Sequence, residues 1–260
     1  LILSFGALDP VGATGIMADR QVFAALGAHG LVVPTCFLVG DTARIEDLQA
    51  MDTGWMVDQA RVLLEDMSVA AIKVGAMASP EQVSALAEIV SDYPDVPLIL
   101  DPFLSGLPDN GDEDEDMYGA LSQVLAPQAT VLQLSLVELG RLAEGWRDPV
   151  DGDMIGLDAA ELTSSGCAFV LVNCSEPGQN TLYDIDGEVA RYPWRRLPGT
   201  FAGAGSVQSG ALAALLARGL EVPAAVEAAH AYTLAALAHA QRFGMGKFVP
   251  NPFFQEPRND

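Results

Sequence analysis

Positive charge is scarce in this chain. Against 35 Asp and Glu there are 13 Lys and Arg, lysine occurs only at Lys73 and Lys247, and the formal net charge is −22. A field of that sign repels nucleic acid and anionic membrane surfaces. Neither is expected as a partner, and the acidity is that of a protein from a salt-loving host. Long apolar runs are missing too. No stretch reaches the roughly 18 residues that span a bilayer, and the opening LILSFGALDP, with no basic residues ahead of it, reads as a strand entering a turn. Cysteine is sparse. Cys36, Cys167 and Cys174 have no metal-ligand spacing and lie in or beside apolar runs, where a reduced thiol behaves as a small hydrophobe. An odd set of thiols suits a reducing cytoplasm.

Half of the 260 residues are hydrophobic, enough for one large core, so residues 1–260 are expected to form a single domain. Continuous apolar runs of strand length occur at 1–5, 31–39, 70–77, 97–103, 130–136 and 169–174. Runs that do not alternate with polar residues indicate strands covered on both faces, hence an α/β fold with a central, mainly parallel sheet between helix layers. Helical periodicity fills the intervals at 18–30 (closing on Gly30), 53–67, 79–93 (with Ser79 as N-cap and Pro80 at the first position) and 136–146. Two alanine-rich helices follow, at 206–219 and 223–244. Asp186-Gly187 reads as the turn of a hairpin within 182–198. The acidic run DNGDEDED at 109–116 reads as a solvated loop.

Two glycine-rich turns stand out. The first, Asp9 to Gly15, connects a strand to a helix, and its glycines and helix-start amides suit close approach of a polar or anionic group. The second, Gly203-Ala204-Gly205-Ser206, opens an alanine-rich helix, where unpaired amides can form an anion hole. A ligand site between the two turns is expected. The histidines, His29, His230 and His239, fall on helical segments and are given structural roles.

The stretch GALDPVGATGIMADRQVFAALGAHG (6 to 30) closely resembles the opening of hydroxymethylpyrimidine and phosphomethylpyrimidine kinases, whose pattern runs G-S-D-P-S-G-G-A-G-I-Q-A-D before an apolar helix. KVGAM (73 to 77), LDPF (100 to 103), SLVE (135 to 138), VLVNC (170 to 174) and GAGS (203 to 206) follow in the matching order. The resemblance implies a ribokinase-like three-layer α/β/α fold. It also implies ATP with Mg2+, a pyrimidine-like alcohol of thiamine biosynthesis as the acceptor, and a homodimer. It places Asp9, Gly12 and Asp19 among the substrate contacts, with Met77 and Phe103 as apolar walls. Gly40 falls where the family has a pyrimidine-binding glutamine. Glu138, acting through metal-bound water, and Ser135 take the place of the Asn-x-x-Glu of the magnesium region. Asn173 and Ser175 take the place of a Lys-Gly-Gly near the nucleotide phosphates. Gly203, Ala204, Gly205 and Ser206 form the catalytic turn, with Ser206 where the family has a cysteine base and the wider superfamily an aspartate.

A serine hydroxyl is too weak an acid to be a resting base at neutral pH, although phosphoryl transfer depends mainly on positioning and electrostatics. Ser206 also suits a helix N-cap. Three readings follow: an ATP-dependent pyrimidine kinase, intact or impaired; a non-catalytic small-ligand-binding descendant that regulates a partner; and a kinase retuned to a sugar or pyridoxal-type alcohol. The last accounts for Gly40 and predicts a retained base, against Ser206.

Overall fold

A computed structural model describes residues 1–104, 107, 112–146, 154–173 and 178–254, the side chains of 112–114 excepted. In chain order the elements are β1 (Ile2–Leu8), α1 (Gly15–Ala25), β2 (Gly30–Gly40), β3 (Ile45–Ala50), α2 (Thr53–Asp66), β4 (Ala71–Val74), α3 (Pro80–Ser91), β5 (Leu98–Leu100) and α4 (Asp112–Ala120). A π-helical turn (Leu121–Leu125) follows. Next come β6 (Val131–Ser135), α5 (Leu136–Ala143), α6 (Ile155–Ser164), β7 (Phe169–Asn173), β8 (Gln179–Asp184), β9 (Gly187–Pro193), α7 (Ala204–Leu216) and α8 (Val222–Ala238).

The strands make one nine-stranded sheet in the order β3-β2-β1-β4-β5-β6-β7-β8-β9. From β2 through β1, β4, β5 and β6 to β7 the pairings are parallel, and β3, β8 and β9 extend the sheet antiparallel at its two sides. Side chains alternate between two covered faces, as the pleat requires. Leu3, Phe5, Ile72, Val74, Leu98, Leu100, Leu132 and Leu134 pack under α2, α3 and α5. Ile2, Ala71, Ile99, Val131 and Leu171 pack under α1, α7 and α8. This is the ribokinase-like three-layer architecture.

α7 is buried along almost its whole length, from Ser206 to Ala214. A helix enclosed on all sides has no polar stripe, and its alanines and Gly210 let it lie close to α1 and the sheet. Ser79 caps α3 by accepting from the Gln82 amide, and Pro80 sits at its first position. The β8–β9 turn falls at Asp184 to Gly187.

Other sequence expectations need correction. α1 stops at Ala25, not at Gly30. Gly27, with φ 75°, donates to the Ala24 carbonyl and Ala28 to that of Phe23, the closure that a left-handed residue after a helix provides, so Gly30 opens β2 instead. The acidic run enters α4 at Asp112; residues 109–111 lie outside the described residues. His29 is in the link before β2 and is not helical. His230 is structural as read: its Nε2 donates to the Pro193 carbonyl and its Nδ1 faces the Asn180 amide. Cys36 and Cys167 are buried with their thiols pushed up, that of Cys167 to about 12; Cys174 lies outside the described residues. Among the described residues no helix is long and apolar enough to cross a membrane.

Candidate active site

In an open parallel sheet, side chains and loops converge beyond the carboxyl ends of the strands, where the strand order reverses. Here β1 lies between β2 and β4, and Asp9, Asp101, Ser135 and Asn173 all stand at or just past a strand's carboxyl end.

The first turn is folded around a carboxylate. Asp9 accepts from the amides of Val11 (2.9 Å), Ala13 (2.9 Å) and Thr14 (3.0 Å), and its carbonyl accepts from Gly12. The amides expected to face a ligand are therefore turned inward. An acidic side chain next to several unpaired amides captures them, because each would otherwise be an unsatisfied donor. Asp9 acts here as the organiser of its own turn.

The second turn is different. Gly203 is the N-cap of α7, in the left-handed conformation with φ 73°, and a β-carbon there would sit on the Ala13 carbonyl oxygen. Only glycine fits this contact between the turns. Ser206 is consequently not the N-cap; it occupies the first helical turn. The amides of Ala204, Gly205 and Ser206 have no intrahelical partner by helix geometry, and no other described group accepts from them. The anion-binding capacity read from the sequence thus rests with the second turn alone. The turns do meet, at the hydroxyls of Thr14 and Ser206, 2.6 Å apart.

Beneath the turns lies a buried polar layer. Lys73 of β4 pairs with Asp19 of α1 at 2.6 Å, both almost without exposure, and Ser4 donates to the same carboxylate. Asp19, expected to touch substrate, is thereby committed to the core. Burial raises its carboxyl above the ordinary value, against the pull of Lys73 and Ser4. Asp101 accepts from Ser209 at 2.6 Å, and the Ser209 hydroxyl also reaches the Ser206 carbonyl at 3.3 Å. Burial pushes the Asp101 carboxyl up to about 6; Lys73 and Ser209 oppose that, and the charges of Glu138 and Asp19 add to it.

Ser135 and Glu138 form a capping box on α5. Glu138 accepts from the Ser135 amide (2.8 Å) and hydroxyl (2.7 Å) and is almost wholly buried. Gln133 donates to the Gly205 carbonyl at 3.0 Å, while its own amide oxygen and that of Asn173 are buried with no partner among the described residues. Such atoms call for a bound polar group. Ser175 lies outside the described residues.

Gly40 ends β2, where the Asp41 amide bonds the Arg44 carbonyl; a β-carbon at Gly40 would come within 2.6 Å of that oxygen. The tight β2–β3 connection therefore leaves no room for a glutamine there. Met77 is enclosed in the core, while Phe103, in the left-handed region with φ 53°, packs on Ala7, Cys36, Leu38 and Ala76. A cavity of about 770 Å³ between α4, α5 and α6, lined by Tyr118, Arg141 and Trp146, contains none of these groups. Convergent polar atoms, not volume, mark the site.

Lys73, Asp101, Ser209, Gln133 and Thr14 were not singled out in the sequence. A signal existed for Lys73, a charge inside the apolar run AAIKVGAM, since a buried lysine requires a partner.

A family model described as phosphomethylpyrimidine kinase matches residues 9–251. The hydroxymethylpyrimidine/phosphomethylpyrimidine kinase of Mycobacterium tuberculosis is 29% identical over 98% of this chain and 94% of its own length. That of Escherichia coli is 26% identical over 94% and 93%. Among solved structures, the ADP complex of Bacillus subtilis pyridoxal kinase aligns with a TM-score of 0.84 at 23% identity, covering 96% of each chain. With the match spanning both glycine turns and the strands between them, this chain belongs to the phosphomethylpyrimidine kinase family.

Proposed function

We propose that the protein transfers a phosphoryl group from ATP to hydroxymethylpyrimidine or its monophosphate, a step of thiamine biosynthesis. The observation that carries this reading is the start of α7: the unbonded amides of Ala204, Gly205 and Ser206 lie at the carboxyl ends of parallel strands, within a chain of this family. Oriented amides in a site of this kind stabilise charge on the transferring group without reorganising during the reaction.

Asp101 and Glu138 are the carboxylates to hold Mg2+, directly or through water, together with phosphate oxygens. Their mutual repulsion and the orphaned oxygens of Gln133 and Asn173 suit a hard cation. Among the described residues no group of three or more His, Cys, Asp and Glu could hold a metal unaided, in keeping with an ion that arrives with the nucleotide. When bound, Mg2+ supplies neutralisation of phosphate charge. Asp9 shapes the first turn, and the apolar cluster around Phe103 borders the side on which a ring would rest. A reducing, high-salt cytoplasm and a homodimer complete the reading.

A second reading, of a binding protein without turnover, is favoured by the engagement of the Ser206 hydroxyl with Thr14 and by the absence of side chain at Gly40. Purified protein with Mg-ATP and hydroxymethylpyrimidine in high-salt buffer separates the two. ADP formation dependent on the pyrimidine supports the kinase; calorimetric binding of the pyrimidine with no ADP formed leaves the binding protein.

A further inference from the structure

Ser206 stands where the family's turn ends in cysteine. Thr14 also departs from the family pattern, since in D-P-S-G-G-A-G the residue before the last glycine is alanine, and this chain reads Asp9-Pro10-Val11-Gly12-Ala13-Thr14-Gly15. The two departures touch. Although 192 residues apart in sequence, their hydroxyls are 2.6 Å apart in a buried hydrogen bond.

The surroundings restrict both partners. Thr14 is the N-cap of α1, yet its side chain makes no capping bond with its own helix and reaches across to α7 instead. Its amide is tied to Asp9 at 3.0 Å. Ser206 is held from below by Ser209, which bridges its carbonyl to Asp101, and its helix is pinned where Gly203 meets Ala13. An alanine in place of Thr14 leaves the Ser206 hydroxyl without this neighbour; a cysteine in place of Ser206 substitutes a longer, poorer hydrogen-bonding group for it.

We propose that Thr14 is a positioning residue for Ser206, and that the two hydroxyls work as one unit to orient the acceptor alcohol against the first turn of α7. The pair takes no proton. It uses one hydroxyl hydrogen bond to fix the direction of the other, leaving the second hydroxyl's remaining capacity for the substrate. In this way a chain without the family's thiol retains a directed polar group at the same point. The inference rests on the kinase reading for its catalytic consequence, whereas the pairing itself can be read without turnover.

The turnover test compares Thr14→Ala, Thr14→Ser, Ser206→Ala and the double Thr14→Ala/Ser206→Ala variant with the unaltered protein, using ADP formation from Mg-ATP and hydroxymethylpyrimidine. Each alanine variant is expected to lower kcat about tenfold, the effect of one lost hydrogen bond, with KM for ATP changed little. The double variant should be no slower than either single one, and Thr14→Ser should restore the rate. A Thr14→Ala enzyme with kcat within about twofold of the original overturns the proposal, as do losses that multiply in the double variant.

A second test needs no activity. In Ser206→Cys, the new thiol is titrated by difference absorbance of the thiolate against the unaltered protein, with and without Thr14→Ala. Asp101 disfavours the thiolate equally in both backgrounds, so the comparison isolates the Thr14 hydroxyl. Its hydrogen bond should hold the thiol about one pH unit lower than when alanine replaces it, and Thr14→Ser should preserve that difference. Equal titrations in the two backgrounds overturn the pairing. A clear difference in a protein that makes no ADP would refute the kinase reading while leaving the pair intact.

Discussion

Asp101→Asn removes a charge that the fold holds at a cost. The carboxyl rises from 3.8 to about 6 in the folded chain because it is buried. The folded state therefore binds this proton more tightly than the unfolded state. The contribution of Asp101 to stability is greatest below the unfolded value near 4 and is lost as pH rises through about 6. Relative to acid solution the loss is partial near pH 5, where the unfolded chain is ionised and the folded one still holds its proton, and complete near pH 8. Asparagine retains an oxygen for the Ser209 hydroxyl. The variant should accordingly gain on the parent roughly tenfold in the unfolding equilibrium constant between those pH values. Any constant offset from the altered hydrogen bond cancels in that difference. The assay is equilibrium unfolding by denaturant at fixed high salt, with chelator present, at several pH values from about 5 to 8. Parallel stability curves for parent and variant would refute the reasoning, because they would mean that Asp101 has the same proton affinity folded and unfolded.

Lys73→Met strands the Asp19 carboxylate in the core and should cost about 3 to 5 kcal/mol, with much of it recovered when Asp19→Asn is added; denaturant midpoints of the single and double variants measure both. Gly203→Ala forces a side chain into a left-handed position against the Ala13 carbonyl and should cost at least about 2 kcal/mol, lowering the thermal midpoint. Gly40→Gln restores the family's residue type but must open the β2–β3 turn, where a β-carbon meets the Arg44 carbonyl. Faster proteolytic cleavage at Gly40 to Ile45, without tighter pyrimidine binding, is the expected outcome, and tighter binding with an unchanged cleavage pattern contradicts it.

The parallel strands were legible because strands buried on both faces must be apolar throughout, and each of the runs at 31–39, 97–103 and 169–174 became one. β3 escaped notice for the opposite reason: IEDLQA is exposed along an edge and has no apolar pattern of its own. α6 was overlooked although Ala159 and Leu162 pack into the core, because no side chain caps its first turn to mark a start. At the site, the glycine turns were recognisable from their residue types, whereas the division of labour between them was not. Whether a turn's amides face outward depends on where Asp9 points, and its carboxylate, which could equally have met a ligand, folds back on the amides of Val11, Ala13 and Thr14. The Asp19–Lys73 pair and the Thr14–Ser206 contact join distant parts of the chain, so no local pattern announces them.

The contact of Gly203 with Ala13 has a consequence for how the protein comes into being. The turn proposed to hold an anion belongs to a helix synthesised long after the residues that brace it, since Ala13 precedes Gly203 by most of the chain. An emerging chain can pair β1 with β2 and β4 long before α7 exists, and throughout that interval the second turn is absent. The site is completed by a long-range closure, the kind of contact that slows folding. A ligand held there would bind only the finished chain and stabilise it as a whole by mass action, so occupancy of the site would report completed folding as well as substrate supply.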